Sequence, residues 1–148
     1  MTTEKNRASD EAQIRQMIDG FVEAFRAKDI NGVVAIYAPE IVSFDLAPPL
    51  QYVGAAAYRK VFQEAMDSFQ GQFDFEVRDL NITTGGDVAY SYSFNRMGGT
   101  MKDGRKLDLW LRWTACFQKI DGKWLIMHEQ VSVPVDLESG NAVLDLKP

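Results

Sequence analysis

The hydrophobic pattern of this chain changes period once, near Gln72, and that change limits the folds open to it. Before it, apolar residues recur at helical spacing: Ile14, Met17, Ile18, Phe21, Val22 and Phe25 fall at i, i+3, i+4, i+7, i+8 and i+11. Tyr58, Val61, Phe62, Ala65, Met66 and Phe69 repeat the spacing after Gly54. Asp10 with Gln13 resembles a capping pair for the first helix. Between these segments, Asn31 to Ala38 reads as a short helix stopped by Pro39. Ile41 to Asp45 follows as a brief strand leading into the Pro48-Pro49 loop.

After Gln72 the period is two. Phe73, Phe75 and Val77 alternate, then Leu80 and Ile82 take over, a slip that predicts a bulge near Arg78-Asp79. Val88, Tyr90, Tyr92 and Phe94 share a face of the next strand, and Leu107 to Lys119 forms a long third one. An Asp121-Gly122 turn leads into the last strand, Trp124 to Val133. Alternation puts Trp124, Ile126, His128, Gln130 and Ser132 on one face of it. A one-residue slip would instead aim Met127, Glu129 and Val131 inward. The His128 face is preferred, because Trp124 and Ile126 share it.

Helix, helix, strand, helix and then four antiparallel strands make an α+β fold with helices on one face of the sheet. In the strand Leu107 to Phe117 the odd positions are apolar, yet Trp110 and Cys116 stand among the even ones. Helices cover only one face, so the other needs a second cover, and a homodimer through the outer sheet face is expected. The 148 residues suit one domain. Residues 1–9 are expected as a disordered N-terminal segment, residues 10–134 as the domain, and residues 135–148 as a C-terminal tail.

A net charge of −5 argues against nucleic acid or an anionic membrane as partner. No stretch is long and apolar enough to span a bilayer. The polar start, Met1 to Ser9, lacks a signal-peptide core, so a cytoplasmic location is expected. One His and one Cys do not build a metal site. Gly85-Gly86 and Gly98-Gly99 are turn signals and not a nucleotide fingerprint, so no cofactor is expected.

Gly20 to Glu40, GFVEAFRAKDINGVVAIYAPE, resembles the opening of the nuclear transport factor 2-like superfamily. The closing Asp121-Gly122-Lys123-Trp124, with Ile126, His128 and Ser132, is similar to its SnoaL-like and ketosteroid isomerase-like branch. It is also similar to the association domain of calcium/calmodulin-dependent kinase II. The resemblance covers about residues 10–134. It implies a strongly curved antiparallel sheet wrapped around the helices as a cone (a cystatin-like α+β roll), with a pocket at one end and dimers through the outer sheet face. It does not fix the activity, because the superfamily holds isomerases, cyclases, dehydratases, hydrolases and binding-only proteins.

Asp45 falls where the isomerase branch carries its general base, and a carboxylate at an apolar cavity mouth can shuttle a proton. The branch's enolate-stabilising Tyr aligns with Phe21, and its protonated acid with the stretch Arg112 to Thr114, where no carboxylate exists. Steroid isomerisation is therefore not the expected reaction. Arg112, a cation on a largely apolar strand, could clamp a ligand anion or serve only in a salt bridge to Asp108 or Asp45. His128 could act as a second acid–base group with Gln130 orienting a polar substrate, or belong to a buried structural network. Phe21, Tyr37, Tyr58 and Trp110 are candidate cavity aromatics, with plain core packing as the alternative. The expected ligand is a small hydrophobic or carboxylate-bearing molecule. The expected chemistry is cofactor-free isomerisation, dehydration or cyclisation, with a non-catalytic binding or oligomerisation module as the rival.

Overall fold

The computed structural model describes residues 2–148, and side chains from residue 3. Helix α1 (Thr2–Arg26) is followed by α2 (Ile30–Val34), β1 (Tyr37–Phe44), β2 (Tyr52–Val53) and α3 (Ala55–Asp67). The strands β3 (Phe69–Gly85), β4 (Val88–Met101), β5 (Lys106–Ile120) and β6 (Lys123–Ser132) complete the chain. They form one six-stranded sheet in the order β2-β1-β6-β5-β4-β3. The fold is α+β, with the helices packed on one face of the sheet.

The predicted apolar stripes are the buried ones. Ile14, Ile18, Phe21, Val22 and Phe25 of α1 join Tyr58, Phe62 and Met66 of α3 in one core with Leu109, Leu111, Trp113, Ala115 and Phe117 of β5. Burying a side chain of that size is worth about 1.5–3 kcal/mol, so the helical lid is held mainly by this seam. The rings interlock: Phe25 stacks on Phe75 at 4.5 Å, and Phe21 meets Phe25 edge-on at 4.9 Å. The predicted bulge is present, since the β3–β4 register shifts between Arg78 and Asn81, with Asp79 at φ 56°.

Several boundaries differ from those read off the sequence. α1 begins at Thr2 and not near Asp10, so residues 2–9, expected to lack structure, are helical; Met1 lies outside the described residues. Asp10 is consequently not a cap. It is a buried acid inside the helix, receiving Lys119 Nζ at 3.1 Å and Trp124 Nε1 at 3.3 Å. The short second helix ends at Val34, because Tyr37 onward is drawn into β1, which spans Pro39. β1 runs parallel to β6, so the sheet is mixed, with only β3 to β6 forming the antiparallel meander. The tail closes a small loop of its own through a Val135–Ala142 bridge. No helix of the described residues is long and apolar enough to cross a membrane.

The last strand carries the main correction. Trp124 and Ile126 point inward, as alternation predicts. Between Ile126 and His128, however, β6 slips against β5: Phe117 pairs with Ile126, Cys116 pairs with His128, and Met127 has no partner. The extra residue reverses the phase. Glu129 is therefore buried, while Gln130 is exposed and His128 lies on the convex side.

Candidate functional site

Between the sheet and the helices lies a cavity of about 240 Å³, walled by Phe21, Phe25, Phe62, Phe75 and Trp113 among others. Leu46, Ala47 and Ala65, which line one side of it, are exposed and mark its mouth. Apart from Asn95 of β4 and the Trp113 indole of β5, its polar groups come from four elements. Ser43 and Asp45, two residues apart, face inward from β1 and the turn after it. Tyr37 starts the same strand. Tyr58 is brought in by α3, which starts beside β1 because Gly54 N–H donates to Ile41 O at 2.8 Å with Gly54 at φ 92°. Only glycine adopts that conformation without strain. Glu129 comes from β6 beyond the bulge.

Glu129 is 1% exposed and accepts from four donors. Tyr37 Oη (2.8 Å) and Trp113 Nε1 (3.0 Å) donate to Oε1. Tyr58 Oη (2.6 Å) and Ser43 Oγ (3.0 Å) donate to Oε2. Tyr58 Oη also lies 2.9 Å from Asp45 Oδ2. A phenol has one proton, so both of its short contacts are hydrogen bonds only when one of the two carboxyl groups is protonated. The trio then carries two protons over three groups, in a line from the half-buried Asp45 to the sealed Glu129. Burial pushes the Glu129 carboxyl above its ordinary range, against the pull of its four donors. Burial, followed by the Glu129 charge, pushes the Tyr37 and Tyr58 hydroxyls up as well, keeping both as donors.

The sequence-predicted residues divide into two groups. Asp45, Tyr37, Tyr58 and Phe21 line the cavity, and Phe21 lies parallel to Trp113 at 5.6 Å. His128, Arg112, Gln130 and Trp110 do not. The bulge carries His128 and Gln130 to the convex face, where the His128 ring donates through Nδ1 to Val42 O at 2.7 Å and packs on Phe44. Arg112 and Trp110 occupy even positions of β5, whose odd positions face the core. Arg112 donates to Ser132 Oγ at 3.0 Å and not to Asp108, which Arg96 engages through two bonds of 2.8 and 3.0 Å. Trp110 lies under the Arg78 guanidinium at 5.0 Å. Where the isomerase-branch acid was aligned, the inward residue is Trp113, a donor to Glu129.

The sequence offers Glu129 only as an inward residue of the one-residue slip and gives it no role in the site. The signal was present: the apolar residues of β6 switch from even positions (Trp124, Ile126) to odd ones (Val131, Val133), and a switch of phase requires a bulge between them. Among the described residues, no three His, Cys, Asp or Glu side chains gather in a ligating cluster.

Residues 14–136 match the model of the SnoaL-like domain. A crystal structure of a nuclear transport factor 2-like protein of unknown function from Pseudomonas putida KT2440 is 35% identical, with a TM-score of 0.87 over 95% of this chain and 98% of that one. A ketosteroid isomerase-like protein from Erwinia carotovora atroseptica SCRI1043 is 21% identical, with a TM-score of 0.69 over 82% and 93% of the two chains. A candidate scytalone dehydratase from Novosphingobium aromaticivorans DSM 12444 is 17% identical, with a TM-score of 0.77 over 88% and 87%. These last two likenesses are of fold alone. No curated protein matches the chain. On the family model and the 35% relative, which spans nearly its whole length, this chain belongs to the SnoaL-like family within the nuclear transport factor 2-like fold.

Proposed function

We propose that the protein binds a small, uncharged, ring-bearing molecule in this cavity and moves a proton on it without a cofactor, as an isomerase, dehydratase or cyclase would. One observation carries the reading: the hydrogen-bonded line Asp45–Tyr58–Glu129, leading from the cavity mouth to a sealed carboxyl. Asp45 exchanges the proton with the ligand. Tyr58 and Glu129 take up or return it, so that charge does not accumulate at the mouth. The size suits one or two rings, since a dry cavity of about 150 Å³ takes up benzene. Among the described residues, no Arg, Lys or His lines the cavity, so a ligand carboxylate would meet two acids and no cation. The likeness to a ketosteroid isomerase-like protein and a candidate dehydratase agrees with this class of chemistry.

The test is deuterium uptake from D2O into the α- and γ-positions of cyclic and ring-fused enones, followed by proton NMR. The wild type should exchange at least one of them above the buffer rate, and Asp45→Asn should lose about 10²–10⁴-fold of the enzymatic rate. Undiminished exchange in Asp45→Asn overturns the assignment. A second reading, a binding module without catalysis, is favoured by the completeness of Glu129's hydrogen bonding, which a purely structural network would also show. Saturable binding with no exchange on any enone would select it.

The same proposal includes a second copy of the chain on the convex sheet face and a cytoplasmic location. The support for the first is a continuous row of side chains, Tyr92–Thr114–Gln130–Phe44, running across four strands with Tyr92 51% exposed.

A further inference from the structure

We infer that Asn95 is the specificity-determining donor of this cavity, and that the ligand it selects is an uncharged carbonyl compound held by its oxygen at the end of the cavity remote from the carboxyl groups. The inference rests on the cavity being a ligand site, as proposed above, but not on catalysis there.

Asn95 is 3% exposed, on the concave face of β4, and lines the cavity beside Met97 and Leu111. Its Oδ1 accepts from Ser93 Oγ at 2.8 Å. Its Nδ2 meets no acceptor among the described residues, and unlike Ser91 Oγ it is not sealed away. An amide donor that opens onto an otherwise apolar wall finds no acceptor within that wall, so the group that completes it arrives from outside the chain, as solvent or as a ligand oxygen. Ser93 fixes which end of the amide is left over: its hydroxyl donates to the oxygen, so the nitrogen faces the open space.

Asn95 and Glu129 cannot serve each other. They stand on β4 and β6 with β5 between, so two strand spacings, about 10 Å, separate their backbones across the sheet. Their partners on β5, Leu111 and Ala115, add an offset of four residues along it. The cavity therefore has two polar poles joined by aromatic walls: a pure donor on β4, and the acid line of Asp45, Tyr58 and Glu129 at the other end. A ligand fitting both carries an acceptor at one end of a ring system. A carbonyl oxygen accepts from the amide without adding a charge. A carboxylate would add one beside two acids, with no cation lining the cavity among the described residues.

The experiment titrates the full-length protein with 2-acetylnaphthalene, its hydrocarbon counterpart 2-ethylnaphthalene, and 2-naphthoate, read by ligand-observed NMR. The ketone should bind the wild type about tenfold more tightly than the hydrocarbon, with 2-naphthoate weakest. Asn95→Leu should bring ketone and hydrocarbon to equal affinity by weakening the first, whereas Ser93→Ala, which frees the amide to turn either end to the open space, should narrow the preference without abolishing it. Equal binding of ketone and hydrocarbon by the wild type, tightest binding of 2-naphthoate, or a ketone preference that survives in Asn95→Leu overturns the inference and leaves the cavity reading standing. Failure of the wild type to bind any of the three overturns both. The wild-type comparison decides even where the Asn95→Leu variant does not fold.

Discussion

The two faces of the sheet are built from the same strands yet follow opposite rules. On the concave face, each polar group within the cavity wall is tied to another: Glu129 to four donors, Asp45 to Tyr58, and Asn95 to Ser93. On the convex face, large apolar side chains are left uncovered, with Val88 59% exposed and Tyr90, Tyr92 and Phe94 on the same side of β4. His128, Arg112 and Gln130, the polar residues most suggestive in the sequence, stand among them. β4 even inverts the usual arrangement, burying Ser91, Ser93 and Asn95 while its aromatics face out. Burial of polar groups thus marks the chemical side of this sheet, and exposure of rings marks the side suited to a partner.

The strongest blow to that contrast is struck at Glu129. Glu129→Ala removes the acceptor of four buried donors, and we expect a loss of about 3 kcal/mol or more in urea denaturation. Glu129→Gln, which keeps the shape and one acceptor oxygen, should cost about 1–2 kcal/mol. A cost near zero for the alanine variant would mean that the concave network is not what holds this region.

The convex face is probed by Tyr92→Glu. It should convert a dimer to a monomer in light scattering at micromolar concentration, while altering the stability of the subunit by only about 0.5 kcal/mol. A wild-type monomer under those conditions would refute the proposed second copy.

A third distinction is in pH dependence. Glu129 has its affinity for protons raised on folding, so the folded protein keeps a proton that the unfolded chain releases above the ordinary glutamate value of 4.5. Its contribution is therefore complete below that value and is lost as pH rises through the raised one. The urea midpoint should fall over this window in the wild type, and Glu129→Gln should flatten the slope. Tyr37 and Tyr58 act in the same sense above pH 10, the ordinary tyrosine value.

The smallest effect is expected at His128. Its ring serves one hydrogen bond to Val42 O, so His128→Ala should cost about 1 kcal/mol. It should leave ligand binding in the cavity unchanged. A large loss of binding or of deuterium exchange would return the imidazole to the site.

Much of this architecture is legible in the residue pattern because period and burial are linked physically. The stripe from Ile14 to Phe25 can bury itself in only one way, and the odd positions of β5 likewise. Even the bulge at Asp79 is announced by apolar residues changing phase around it. Part of the cavity wall follows: Asp45, Tyr37, Tyr58 and Phe21 are found by position. Other parts of it are hidden, for two reasons. Chemical character misled at His128 and Arg112, since a titratable side chain draws attention whether it faces a cavity or a partner. Asn95 and Glu129 sit among exposed-looking polar neighbours, and their inward aim depends on strand phase, which in β4 buries the polar set and in β6 changes midway.

Met127 gives that last point a wider meaning. One unpaired residue decides whether a carboxyl or an imidazole forms the floor of the chamber. Were the strand to straighten while keeping its length, the parity of everything after Ile126 would invert, expelling the acid and admitting the ring. Chains of this kind can therefore exchange one chemistry for another by a shift of a single place, with every amino acid retained.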